Sequence, residues 1–277
     1  MPQEAEPASI KTGGTVTACL LIIGNEILSG RTQDKNLAFV GQELNDLGIR
    51  LMEVRVIPDV ETVIIDTLNE VRRGFDYVFT TGGIGPTHDD ITADCVARAF
   101  GLPLIVNPEA RAILEAHYPP GQLTEARLRM ARTPEGAALI ENPVSKAPGF
   151  QVENVFVMAG IPSVMQAMFH SLKHRLAGGK PLRSRTVMVE MGESFVAAGL
   201  AAVQDSHPDV EIGSYPFNRD GTFGTRLVLR STEEESLTAA AAALDAMILG
   251  LGAKGLWEAS PAEPTEEQQS QEQQRKR

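Results

Sequence analysis

Apolar residues come in runs whose spacing changes several times along the first hundred positions. Val16–Ile23 (VTACLLII) is almost continuously apolar, the pattern of a strand covered on both faces, and it runs straight into Gly24-Asn25-Glu26. Over 34–47, Leu37, Val40, Leu44 and Leu47 fall three or four apart and Gly48 follows, so a helix is predicted. A strand is read over 51–57, stopped by Pro58, then a helix over 60–73 that ends at Gly74. Residues 76–80 (DYVFT) read as a strand feeding the loop 81–89, and 90–100 as the next helix. This β-α-β-α-β alternation argues for a mostly parallel sheet with helices on its faces.

Pro108 suits the first turn of a helix over 109–118, and a basic helical segment is read over 124–132; the two are expected to form an insertion or lid. Strands are expected over 137–140, 150–152 and 155–158, with a closing helix over 163–176. A first α/β domain over 16–176 results. Gly178-Gly179-Lys180-Pro181 is a linker signal, after which strand, helix, strand, strand and helix over 184–191, 194–205, 210–215, 224–230 and 233–249 make a small α+β module, 181–256. Residues 1–15 are polar and read as disordered. So does the tail 258–277, which has no Val, Ile, Leu, Met or Phe to offset the entropy of ordering.

Composition narrows the partners. The 277 residues carry 25 Lys plus Arg against 36 Asp plus Glu, a net charge of −11. That excess disfavours nucleic acid and anionic membrane surfaces as partners but leaves an anionic small molecule open. The two cysteines, Cys19 and Cys95, lie in apolar segments without Cys-x-x-Cys spacing, so neither a disulfide framework nor a zinc knot is suggested, and a cytoplasmic protein is expected. The N-terminal residues lack the apolar core of an export signal, and no stretch approaches the length of a membrane span.

The most informative segment for chemistry is TTGGIGPTHDDIT, residues 80–92. Gly82, Gly83 and Gly85, between a strand and a helix N-terminus, leave backbone N–H groups uncovered, which makes an anion site with Thr81, Pro86 and Thr87 around it. His88 stands where a dinucleotide fingerprint needs a third glycine, and no Gly-Lys-Ser/Thr follows, so neither nucleotide motif applies. Asp89 and Asp90 then present a conflict. A carboxylate about 4 Å from a phosphate costs about 4 kcal/mol at an effective dielectric near 20 unless a cation lies between them. A divalent ion such as Mg²⁺ removes the repulsion, and the alternative is that one aspartate merely caps the helix. The segment 24–36 (GNEILSGRTQDKN) should emerge at the same sheet end, bringing Gly24, Asn25, Glu26, Asp34 and Asn36 near the glycine loop, with helix capping as the plain alternative for Asp34. Asn142, Lys146 and Gly149, in NPVSKAPGF, form a third segment in which Lys146 could act as a phosphate counter-charge or be simply solvated. His170 and His174 lack the glutamate of a metalloprotease motif.

Together with AGIPSVMQAM (159–168) and IGSYP (212–216), these segments resemble, in this order, the N-terminal part of the CinA family (competence/damage-inducible protein A). That part lies within the MogA/MoaB-like molybdopterin-binding superfamily. The resemblance covers about 17–250 and implies a three-layer α/β domain followed by a KH-like module. It implies metal-dependent hydrolysis of a nucleotide pyrophosphate such as ADP-ribose or FAD, with Asp34 and Asp90 catalytic, Asp89 and Asp90 on a Mg²⁺, Mn²⁺ or Co²⁺ ion, and a homodimeric assembly. The alternative it implies is a binder of molybdopterin without hydrolysis. Longer members add a nicotinamide mononucleotide deamidase, an activity not expected of this chain, which turns into its polar tail where that domain begins. One departure stands out: the family's Pro-Gly-Val-Pro-x-Glu-Met reads Ala159-Gly160-Ile161-Pro162-Ser163-Val164-Met165 here, so a proline and a glutamate are lost. An RNA-binding role for the module is disfavoured, since no Gly-x-x-Gly is present.

Overall fold

The computed structural model describes residues 15–219 and 221–258 and divides the chain into two units, Met1–Pro181 and Leu182–Arg277. Apart from the first and last residues of that range, the segments read as disordered lie outside the described residues.

The first unit runs β1 (Val16–Ile23), α1 (Asn25–Leu28), α2 (Asn36–Asp46), β2 (Ile49–Ile57), α3 (Glu61–Gly74), β3 (Tyr77–Thr81), α4 (Thr92–Phe100), β4 (Leu104–Val106), α5 (Pro108–His117), α6 (Glu125–Arg129), β5 (Arg132–Pro134), β6 (Ala138–Ile140), β7 (Gly149–Val152), β8 (Val155–Met158) and α7 (Pro162–Leu172), with a 3-10 turn at Lys173–Arg175. Its main sheet has the order β2-β1-β3-β8-β7-β6, parallel through β8 and antiparallel beyond it. The apolar continuity of β1 has a simple cause. Ala18, Leu20 and Ile22 enter one cluster with α2 and α7, whereas Cys19, Leu21 and Ile23 enter a second with α3 and α4. Three layers follow, as expected. At the centre Phe79 lies 5.3 Å from Phe156 and 5.7 Å from Phe169, ring centroid to centroid. Each such fully buried side chain contributes about 2 kcal/mol. Asp76 anchors the start of the sheet by accepting from the Thr17 backbone N–H at 2.8 Å and its hydroxyl at 2.9 Å.

Several expectations are corrected. The basic segment is helical only over Glu125–Arg129, and its end becomes β5, which pairs with β4 in a two-stranded ribbon. Both strands have three residues, too short to show a period. The ribbon, α5 and α6 surround a small cluster of Ala110, Leu114 and Ala131, so the insertion has a core of its own. The short α1 lies in what reads as loop.

The second unit is β9 (Arg183–Val189), α8 (Glu193–Ser206), β10 (Glu211–Arg219), β11 (Thr222–Ser231), α9 (Glu234–Gly250) and β12 (Leu256–Trp257). Its antiparallel sheet has the order β10-β11-β9-β12, the split β-α-β arrangement. Val187, Val189, Leu227 and Leu229 pack with Val196, Leu237, Ala240, Leu244 and Ile248 of α8 and α9. Both helices therefore cover the same face. β10 extends four residues past the predicted strand, and β12 is additional. Among the described residues, no helix is long and apolar enough to cross a membrane.

Candidate functional site

Parallel strands β1, β3 and β8 end on the same side of the sheet, and their following loops meet there. The contact is tight. The Asn36 side-chain amide, 3% exposed, donates to the Gly160 carbonyl at 2.9 Å, and a Cβ on Gly160 would stand 3.3 Å from the Gly82 Cα. Glycine is required at Gly82, whose φ is +106° and whose Cβ would lie 2.1 Å from the Ile23 carbonyl oxygen. Gly83, with φ +67°, would place its Cβ 2.2 Å from the Thr92 hydroxyl. A Cβ on Gly85 would meet the Asp90 carboxylate at 2.6 Å. Thr92, fully buried, holds the loop from below by donating to the Gly82 carbonyl at 3.0 Å, and its backbone N–H donates to the Gly83 carbonyl at 3.0 Å.

This geometry refines the anion cradle. The Gly82 N–H is not free, because it donates to the Met158 carbonyl at 3.1 Å and continues the sheet. Any cradle is therefore left to the backbone from Gly83 onward. The Asp90 carboxylate accepts from the Thr87 backbone N–H at 2.8 Å and also from the Thr87 hydroxyl, fastening the exposed turn that contains Pro86. Asp89 is exposed at the mouth; Thr87 and then its own backbone N–H hold its carboxyl below the usual carboxylate range, with His88 adding to the effect. At the base, Asn36 Oδ1 and the hydroxyls of Thr80 and Thr81 are buried with no partner among the described residues, a density of unsatisfied groups unusual in a core.

The remaining predicted residues divide. Asp34 accepts from the Leu37 N–H at 2.8 Å, the helix-capping alternative, and lies two residues before Asn36, the first residue of α2. Glu26 folds back so that its carboxylate lies 2.6 Å from where a Gly24 Cβ would stand, and the Asn25 N–H donates to Asp59 at 2.9 Å. Asn142 is spent on its own loop: its amide donates to Ser145 at 2.6 Å and the Ala147 carbonyl at 2.8 Å, and its oxygen accepts from the backbone N–H groups of Val144 and Ser145. That network turns the chain through Lys146, whose φ is +64°. Asn142 and Lys146 line a cavity of about 640 Å³ with His117, His174 and Arg175, and no glycine-loop residue borders it. Gly149 is structural, since a Cβ there would stand 2.3 Å from the Val157 carbonyl oxygen. Sequence reasoning misses Thr80 and Thr92; a threonine pair flanking the glycines was the available signal.

Two aspartates beside an anion loop fit a cation shared with a phosphate-bearing ligand, which uses one or two carboxylates and several waters. They do not fit a cation held by protein alone, since among the described residues no three His, Cys, Asp or Glu side chains are grouped to hold one. Val164, where the resemblance expects a glutamate, is 6% exposed and packed in the apolar cluster under α7.

A family model described as "Probable molybdopterin binding domain" matches residues 19–178. The chain belongs to this molybdopterin-binding domain family. A second model, "FAD synthase, middle domain", matches 181–251, the module read as KH-like. A protein of Archaeoglobus fulgidus is 36% identical over 197 residues, covering 71% of this chain and 84% of that relative. A probable FAD synthase of Caenorhabditis briggsae is 28% identical over 264 residues, 86% of this chain and 50% of its own length. Among solved structures, the protein CinA of unknown function from Thermoplasma acidophilum superposes with a TM-score of 0.56 at 33% identity, covering 59% of this chain and all of that one. The first unit of this family member is thus a CinA N-terminal-type domain.

Proposed function

We propose that the crevice binds a nucleotide diphosphate such as ADP-ribose or FAD and hydrolyses its phosphoanhydride with a divalent cation. The observation that carries this reading is the placement of Asp89 and Asp90 on a loop in which Gly83 and Gly85 are half-buried and carry no side chain over their backbone. A second support is that a relative named as an FAD synthase aligns along both units. Asp89 and the Asp90 carboxylate would hold the cation, whose chemistry is to neutralise the charge that develops on the phosphates. Backbone N–H groups from Gly83 to Gly85 would bind a phosphate oxygen. Asp34, with one oxygen on the Leu37 N–H, keeps the other to orient water and take its proton.

Incubation of the full chain with ADP-ribose or FAD, in Mg²⁺, Mn²⁺ or Co²⁺ against EDTA, should release AMP only with metal. Asp90→Asn should lower that rate by about 100-fold or more. Unchanged turnover in the variant, or turnover in EDTA, overturns these assignments. A second reading, a molybdopterin binder without hydrolysis, is favoured by the family description and by Val164, which removes a carboxylate from α7. Copurification of an oxidisable, fluorescent pterin with no AMP release would establish it instead.

A further inference from the structure

The second unit contains a cavity of about 780 Å³ on the sheet face that its helices leave uncovered. Strand alternation places Tyr215, Phe217 and Arg219 of β10, Met188 of β9 and Leu256 of β12 on that face, opposite Val187, Val189, Leu227 and Leu229, and Glu190, just after β9, joins the lining. Phe217 pairs across the strands with Gly224, and a Cβ on Gly224 would stand 2.6 Å from the ring. The ring therefore lies against bare backbone and turns its other side to the cavity. Met188 and Leu256, directly opposite each other in the ladder, extend this apolar floor.

Two cations stand at the rim. Arg219 closes the β10 end and Lys254 comes from the turn after α9; among the described residues, neither side chain has an ion-pair or hydrogen-bond partner. Of the last carbonyls of α9, those of Met247, Ile248 and Leu249 accept from the N–H groups of Leu251, Gly252 and Ala253. Glu190 supplies an acceptor on the same lining. An aromatic platform, an apolar floor, two unpaired cations and one carboxylate match a molecule with a flat ring, hydroxyl or amino donors, and a phosphate.

We infer that this cavity is a nucleotide-binding site, distinct from the glycine crevice and independent of whether that crevice hydrolyses anything. The ring stacks on Phe217, Glu190 accepts from a ring amine or sugar hydroxyl, and Arg219 and Lys254 bind the phosphate. No metal is required.

The single tryptophan of the chain, Trp257, lies in β12 beside Leu256, so its fluorescence reports on this unit. The full chain in EDTA should change its tryptophan emission on titration with AMP and release heat in parallel calorimetry. Arg219→Ala with Lys254→Ala should weaken AMP by about tenfold or more, with adenosine affected less than about twofold. Phe217→Leu, which keeps Gly224 covered, should weaken AMP and adenosine alike. The inference is overturned if millimolar AMP produces neither signal, if inorganic phosphate competes as well as AMP, or if the paired cation variant leaves AMP affinity unchanged.

Discussion

The two larger sheets of this protein differ in how many of their faces are covered, and their strands differ to match: β1 is apolar almost throughout, whereas β9 and β10 mix apolar with polar and charged residues. In the first unit helices lie on both faces, so alternate residues of β1 are equally buried and no side chain along the strand can meet a ligand. Polar chemistry is forced to the strand ends, where the glycines, Asn36 and the two aspartates gather. In the second unit both helices lie on one face, and the other presents Tyr215, 46% exposed, and Leu256, 66% exposed. The number of layers decides where a ligand can approach, and the strand composition follows it.

Glycine substitutions test this contrast most strongly. Gly82→Ala combines a left-handed φ with a 2.1 Å backbone clash and should cost about 3 kcal/mol or more in urea unfolding. Gly252→Ala, with φ +77° but nothing within 4 Å of its Cβ, should cost about 1 to 2 kcal/mol. Equal losses would mean that the crevice loop relaxes as freely as an open turn. A middle-sized effect is expected where a side chain ties two loops together: Asn36→Ala removes the bond to Gly160 and should cost about 1 to 2 kcal/mol. On the uncovered sheet face, Tyr215→Phe loses only a 3.5 Å approach to Arg230 and should stay within about 0.5 kcal/mol.

A pH-dependent effect concerns the thiols. Burial pushes Cys19 and Cys95, both in the doubly covered unit, from 9.0 up to about 12. Above pH 9 the unfolded chain therefore loses thiol protons that the native chain keeps. Stability from these groups is full below pH 9 and declines as the pH rises from there towards about 12. Thermal unfolding between pH 8 and 11 should show this decline, reduced in a Cys19→Ala, Cys95→Ala variant. Both thiols should resist a thiol reagent until denaturant is added.

Much of the fold is legible in the sequence. Val16–Ile23 coincides with β1, and the helices after it lie within a few residues of their periodic patterns, because long amphipathic or fully apolar runs leave one way to be buried. The β4-β5 ribbon is not legible: three residues give no period, and pairing across the α5 insertion is a non-local choice. The glycine loop announces itself by composition, yet the capture of the Gly82 N–H by Met158 depends on β8 lying beside β3, about seventy-five residues later in the chain.

By itself, then, the sequence determined the long strands and helices, that the sheet is mainly parallel, and that Gly82, Gly83, Gly85 and the two aspartates share one loop, since each depends on local pattern and chain order. Only the tertiary structure decided which polar groups remain free for a ligand. Asn142 and the Gly82 N–H look equally available in sequence, and both are used up by neighbours that packing brings to them. Buried polar groups must find partners, and the identity of those partners is settled by contacts between distant segments rather than by the residues alone.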